Sequence, residues 1–208
     1  RAIDSIANRL QANPVALQIA IGSEDTFRGV VDLIEEKSLI FDPEGKEMPV
    51  EGPVPEELEE EVRNHRAVLI EKVSETDDQL IEKFLEEREI TKDELKAALR
   101  RATVAYKLVP VLCGSALRNL GVQPLLDAIG AYLPSPLDVP PVEGKEYRTE
   151  RAKTRGPDAD APFAALAFKT VTDPYIGRLV YFRVYSGAVV TGAMTFNSTN
   201  GRRERLGR

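Results

Sequence analysis

Cys113-Gly114-Ser115-Ala116 closes an apolar run, Leu108 to Leu112, and a second apolar series, Val122 to Leu133, begins six residues later. Small residues at the end of a buried strand leave the backbone open to close approach by a flat ring. The N–H groups there, with a helix N-terminus nearby, are donors for a carbonyl oxygen. Parallel sheets keep ligands at the carboxyl ends of their strands, which is where this tetrapeptide falls. By itself, the pattern also fits an ordinary strand-to-helix connection.

Other reactive side chains are few. The chain has one cysteine and one histidine, Cys113 and His65, 48 positions apart, which argues against a zinc site. His65 lies in a glutamate-rich helical stretch with no nucleophile or metal partner at a useful spacing, so a surface role is expected. Cys113 ends an apolar run and is expected to pack as a small group rather than attack. No residue is assigned a catalytic or metal-binding role. One cysteine permits no internal disulfide, which fits a reducing compartment.

The 208 residues are 42% hydrophobic and 30% charged, an ordinary balance for a globular protein. No apolar run reaches the length that spans a bilayer, and no membrane partner is expected. The first residues, RAIDSIANRLQAN, lack both an initiator Met and an apolar signal core, and they open within a helical pattern; an internal fragment is expected. The net charge of −6 hides a split. Residues 51–100 carry 16 acidic against 8 basic residues, whereas 145–208 carry 12 basic against 6 acidic. Different partners for the two parts are one explanation; a solvated helical surface beside a basic barrel is the other.

The elements that must position these residues follow from periodicity. Ile3, Ile6, Ala7 and Leu10 give residues 2–11 one apolar face, and Asn13-Pro14 ends that helix. Val15 to Ile21 is almost continuously apolar, as in a strand covered on both faces. Phe27 to Leu33 and Leu39 to Phe41 read as two strands, with a turn at Asp42-Pro43-Glu44-Gly45. Residues 54–106 form an acidic helical unit. Pro55 opens its first helix, Thr76 caps the second, and Thr91 with Glu94 makes a capping box for the third. Strands 15–21 and 108–112 are expected to pair in parallel, with the helical unit as an excursion between them. Pro134-Ser135-Pro136 and Pro140-Pro141 mark a linker over 137–161. From Pro162 the period becomes 2, and short strands alternate with turns at Asp173-Pro174 and Ser186-Gly187, as at the start of an antiparallel barrel.

Four segments in order, ANPVALQIAIG, FRGVVDLI, VLCGSALRNLGVQPLLDAIGAYLPSPLDVP and FAALAFKTVTDPYIGRLVYFRVYSG, resemble the elongation factor G family of translational GTPases. The resemblance covers nearly all of the chain and is weakest in the helical unit. It implies an α/β fold: residues 1–22 and 107–136 from the C-terminal part of a P-loop GTPase domain, 23–106 an α+β insertion, and 162–208 the beginning of the β-barrel second domain. It places Ser115, Ala116 and Leu117 in the guanine-binding loop, with the Ala116 N–H on guanine O6. No segment is assigned to the phosphate cradle, the metal switch or the base-reading Asn-Lys-x-Asp of the family.

What the resemblance implies further is a cytoplasmic protein that uses GTP with Mg2+ to drive tRNA–mRNA translocation. The ribosome would be its partner: the stalk protein through the acidic unit and rRNA through the barrel. This chain alone is expected to be inactive and to hold no nucleotide tightly. A paralogous ribosome-protection or recycling factor, or a ribosome-binding module without catalysis, stands as an alternative. If the preceding strands are missing, an open edge at 15–21 or 108–112 invites pairing with a second copy.

Overall fold

The computed structural model describes residues 2–175 and 177–207. The fold is mixed α/β and divides after Leu133 into two compact units. The first contains α1 (Ala2–Leu10), β1 (Pro14–Ala16), β2 (Gln18–Ile21), β3 (Gly29–Asp32), β4 (Lys37–Ile40), β5 (Val50–Gly52), α2 (Glu59–Ser74), α3 (Asp78–Leu85), α4 (Lys92–Val104), β6 (Val109–Val111) and α5 (Val122–Tyr132).

β1 pairs in parallel with β6, Val15 opposite Pro110, as the shared apolar character of the two runs suggests. The run from Val15 to Ile21 is nevertheless not one strand. It breaks at Leu17, and β2 joins a different, antiparallel sheet of order β2-β3-β4-β5. Leu17 is the joint: its N–H donates to the Val111 carbonyl at 2.9 Å, and its carbonyl accepts from Leu33 N–H at 2.9 Å. Both sides of the break are buried, so the apolar pattern stays continuous and hides the change of partner.

One core serves both sheets. Val15, Leu17, Ile19, Ile21, Val31 and Leu33 pack with Val62, Leu69 and Val73 of α2, Leu80 of α3, and Leu95, Leu99 and Ala102 of α4. Charged side chains tie the helices to the sheets. Arg66 of α2 donates to the carbonyls of Leu33 and Ile34, the latter at 3.0 Å, and Lys72 reaches the Pro14 carbonyl at 2.8 Å.

Helix ends follow sequence chemistry with two shifts. Thr91 and Glu94 form the expected capping box of α4. The cap of α3 is Asp77 rather than Thr76. Asp77 accepts from the N–H groups of Gln79 and Leu80, and the Thr76 hydroxyl donates back to the Val73 carbonyl. A carboxylate is the stronger acceptor, so it takes the cap. Pro55 precedes a single 3-10 turn over Glu56–Leu58, and α2 proper starts at Glu59.

The second unit contains β7 (Val142–Lys145), β8 (Ala152–Arg155), β9 (Ala164–Asp173), β10 (Gly177–Ser186), β11 (Met194–Asn197) and β12 (Arg202–Arg205). They form three antiparallel ribbons, β7-β8, β9-β10 and β11-β12, and no closed sheet among the described residues. The β7-β8 hairpin lies in the polar stretch that shows no periodicity in sequence. β11 begins at Met194, past Gly192, which has φ +85°.

Candidate functional site

β6 leads through Leu112 and Cys113 into a loop that folds back on itself. Ser115 and Leu120 pair as an isolated antiparallel bridge: Ser115 N–H donates to the Leu120 carbonyl at 2.8 Å, and Leu120 N–H to the Ser115 carbonyl at 3.0 Å. Asn119 N–H donates to the Ala116 carbonyl at 3.3 Å. Residues 116–119 are thus the tip of a tight turn that stands exposed, with Leu117 98% exposed.

Two glycines make the fold-back possible. A side chain at Gly114 would place its Cβ 2.7 Å from the Leu120 carbonyl. Gly121, at φ +80°, would meet the Cys113 carbonyl at 2.9 Å. Here the small residue that sequence analysis singled out serves the loop's own closure: Gly114 lies against the returning chain. Gly121 then sits as the left-handed cap from which α5 starts.

The turn leaves three donors. Among the described residues, none accepts from the N–H groups of Ala116, Leu117 or Arg118. The Cys113 side chain packs against the small cluster of Phe27, Val30, Phe41 and Leu120. Burial pushes its thiol pKa up, which disfavours the thiolate and any nucleophilic role. His65 sits on the exposed side of α2, 3.9 Å from Glu61. Among the described residues, no group of three His, Cys, Asp or Glu is placed to hold a metal ion. Two strings fit Asp-x-x-Gly, 42–45 and 127–130. The first is a turn closed by Gly45 N–H on the Asp42 carbonyl, and the second lies inside α5.

The antiparallel sheet holds the loop from outside. Asn119 Nδ2 donates to the Gly45 carbonyl at 2.6 Å, and Arg118 Nη1 to the Phe27 carbonyl at 3.4 Å. Asn119 itself is left-handed at φ 55°, a conformation asparagine tolerates. These contacts are invisible to motif matching because they join positions 74 and 91 residues apart. The one sequence hint is an asparagine two places before a glycine. At the other end, Arg100 of α4 donates to the Ala131 carbonyl at 2.6 Å and covers the C-terminus of α5.

No family model matches the chain. Its relatives are clear at the level of whole sequences. Elongation factor G of Thermotoga maritima is 49% identical over 207 residues, which is 100% of this chain and 30% of that protein. The Thermotoga neapolitana elongation factor G matches equally. The chain is homologous to a segment of elongation factor G. It spans about a third of the length of these relatives. A crystal structure of a Thermus thermophilus protein superposes with a TM-score of 0.71 at 27% identity, covering 98% of this chain and 27% of that one. The homology bears out the resemblance read from the four sequence segments. No helix among the described residues is long and apolar enough to cross a membrane.

Proposed function

We propose that the chain is the guanine-facing and ribosome-facing segment of a cytoplasmic translation elongation factor that hydrolyses GTP to drive translocation. The observation that carries this reading is 49% identity to elongation factor G along the whole chain. In this reading, residues 1–22 and 107–136 belong to a P-loop GTPase domain, 23–106 to its insertion, and 162–208 to the first part of a barrel. Ser115, Ala116 and Leu117 cover the guanine ring, and the Ala116 N–H donates to guanine O6. The local geometry suits that role: the N–H has no acceptor among the described residues, and the turn is exposed. GTP supplies the phosphoryl group, with Mg2+ beside it. The 208 residues contain no Gly-x-x-x-x-Gly-Lys-[Ser/Thr], so no phosphate contact is assigned to them.

The charge split gives each unit its ribosomal surface. Glu56, Glu57, Glu59, Glu60 and Glu61 are all exposed at the start of α2 and face a basic protein, in family terms the stalk protein. Arg202, Arg203 and Arg205 of β12, with Lys169, Arg178 and Arg183, are exposed on the second unit and face rRNA phosphates. Binding through the second set weakens steeply with salt, as phosphate contacts do.

A chimera tests the proposal. The matching segment of Thermotoga maritima elongation factor G is replaced by residues 1–208, and ribosome-dependent GTP hydrolysis and tRNA movement are measured. Turnover and translocation near the parent's level are expected. A soluble, folded chimera that neither hydrolyses GTP on ribosomes nor moves tRNA would contradict the assignment.

A further inference from the structure

The loop at 115–120 is not held by its own domain layer alone. Three attachments come from the sheet of β2 to β5 and the segments that connect its strands. Asn119 Nδ2 donates to the Gly45 carbonyl at 2.6 Å. Arg118 Nη1 reaches the Phe27 carbonyl at 3.4 Å. Leu120 is 2% exposed in a cluster with Phe27, Val30 and Phe41. The turn at 42–47 that offers the Gly45 carbonyl is itself fixed: Asp42 accepts from Lys46 and Glu47 N–H at 3.0 and 3.4 Å. Lys46 N–H, first among these donors, holds the Asp42 carboxyl below its usual pKa. Contact is close on the other side too. A Cβ on Gly45 would lie 2.5 Å from the Arg118 carbonyl. The fixation stops at Arg118, and Ala116 and Leu117 stand clear.

We infer that Asn119 and Gly45 form a clamp through which the inserted sheet sets the position of the Ala116 N–H, making both positioning residues for guanine recognition. This rests on the proposal that residues 115–117 meet guanine. A donor that must meet O6 within hydrogen-bond distance tolerates little displacement, and Ala116 is only three residues from the clamped side chain. The turn's own bonds hold it closed, but they do not fix where the closed turn points. The clamp does, because Asn119 ties its returning arm to a rigid element. A partner that displaces the 42–47 turn therefore changes guanine affinity, by linkage, without touching the nucleotide.

The test uses the full-length protein and two nucleotides, GDP and 2-aminopurine riboside diphosphate, which lacks O6. Asn119→Gly keeps the left-handed conformation and deletes the amide. Asn119→Asp keeps the size and removes the donor. Gly45→Ala attacks the clamp from the sheet side. Each is expected to weaken GDP binding about fivefold, the scale of one hydrogen bond, through faster dissociation, while affinity for the analogue stays unchanged. Equal weakening of both nucleotides would overturn the clamp, since general loosening of the fold moves both. Unchanged GDP affinity in all three variants would overturn it as well. Ala116→Pro separates the two levels. If it weakens GDP binding while the clamp variants do not, the guanine contact stands and the clamp falls. If it too is silent, the guanine contact falls, and the clamp with it. Melting curves for each variant identify any that fail to fold, and for such a variant the Asn119→Asp result decides.

Discussion

The sheet of β2 to β5 and the ribbon of β9 and β10 are both antiparallel and both carry large apolar residues, Val and Ile in the first and Val, Leu and Phe in the second, yet their side chains end in different places. Val30 and Val31 are each 0% exposed. Leu166 and Phe168 of β9 are 57% and 63% exposed. The sheet has α2 and α4 on one face and the Phe27-Phe41-Leu120 cluster on the other. Among the described residues, no helix lies in the second unit, and its ribbons are two strands wide. Strand pattern alone therefore does not bury a side chain; a second layer does. The difference also explains where precise placement is possible. A loop anchored to the covered sheet inherits its rigidity, and a turn on the ribbons inherits none.

The largest expected break in this comparison is a matched pair of truncations. Leu99, fully buried between α4 and the sheet, should lose about 2–5 kcal/mol of stability when changed to Ala. Leu166→Ala should stay within about 0.5 kcal/mol. Denaturant melts of the two variants check this, and equal losses would mean that the ribbon has a cover of its own.

A second pair compares glycines. Gly121→Ala forces a left-handed side chain into the Cys113 carbonyl, and should cost about 1–2 kcal/mol. Gly144 in β7 has nothing within 4 Å of a Cβ, so Gly144→Ala should be neutral or slightly stabilising. The same melts read both.

Acid sharpens the contrast further. The ammonium of Lys83, followed by the N–H of Thr91, holds the Glu94 carboxyl down at about 2, against its usual 4.5. The pKa is depressed in the folded state, so the stabilisation is complete above pH 4.5 and is lost as pH falls toward 2. Glu94→Gln should therefore lower the melting temperature of the first unit at pH 7 and make little difference near pH 2. A deficit that persists unchanged at pH 2 would mean that the carboxylate charge is not its source. Glu94 is half-buried, its side chain 38% exposed, so solvent screens the pair and the effect on stability is smaller than the losses at Leu99 and Gly121.

Much of this architecture was legible in the sequence. The parallel pairing of β1 with β6 followed from two short apolar runs, and the α4 capping box from Thr91 and Glu94. The break at Leu17 was not legible, because a strand buried in two successive sheets has the same apolar pattern as a strand buried in one. The edge strand of the sheet, β5, escaped as well: Val50-Glu51-Gly52 is three residues long and largely exposed, so no alternation develops. The β7-β8 hairpin, exposed along almost its whole length, carries no hydrophobic signal either. At the loop, the small residues were visible and their reason was not. Only the folded chain brings the Leu120 carbonyl against Gly114, or Asn119 against Gly45.

Edge association follows the same logic. Among the described residues, β1 and β6 form a sheet of two strands, and Val109 is 39% exposed. Self-association of the 208-residue chain through that edge is expected in light scattering at high concentration. A clean monomer would count against it.

The central claim is that the loop held by the covered sheet presents residues 115–117 to guanine. Photocrosslinking of full-length protein with 6-thio-GDP, which carries its reactive sulfur at the O6 position, tests this most directly. Peptide mapping should find the adduct at Ser115, Ala116 or Leu117, and unlabelled GDP should abolish it. A specific, GDP-competed adduct mapped elsewhere, with none on this loop, would contradict the account.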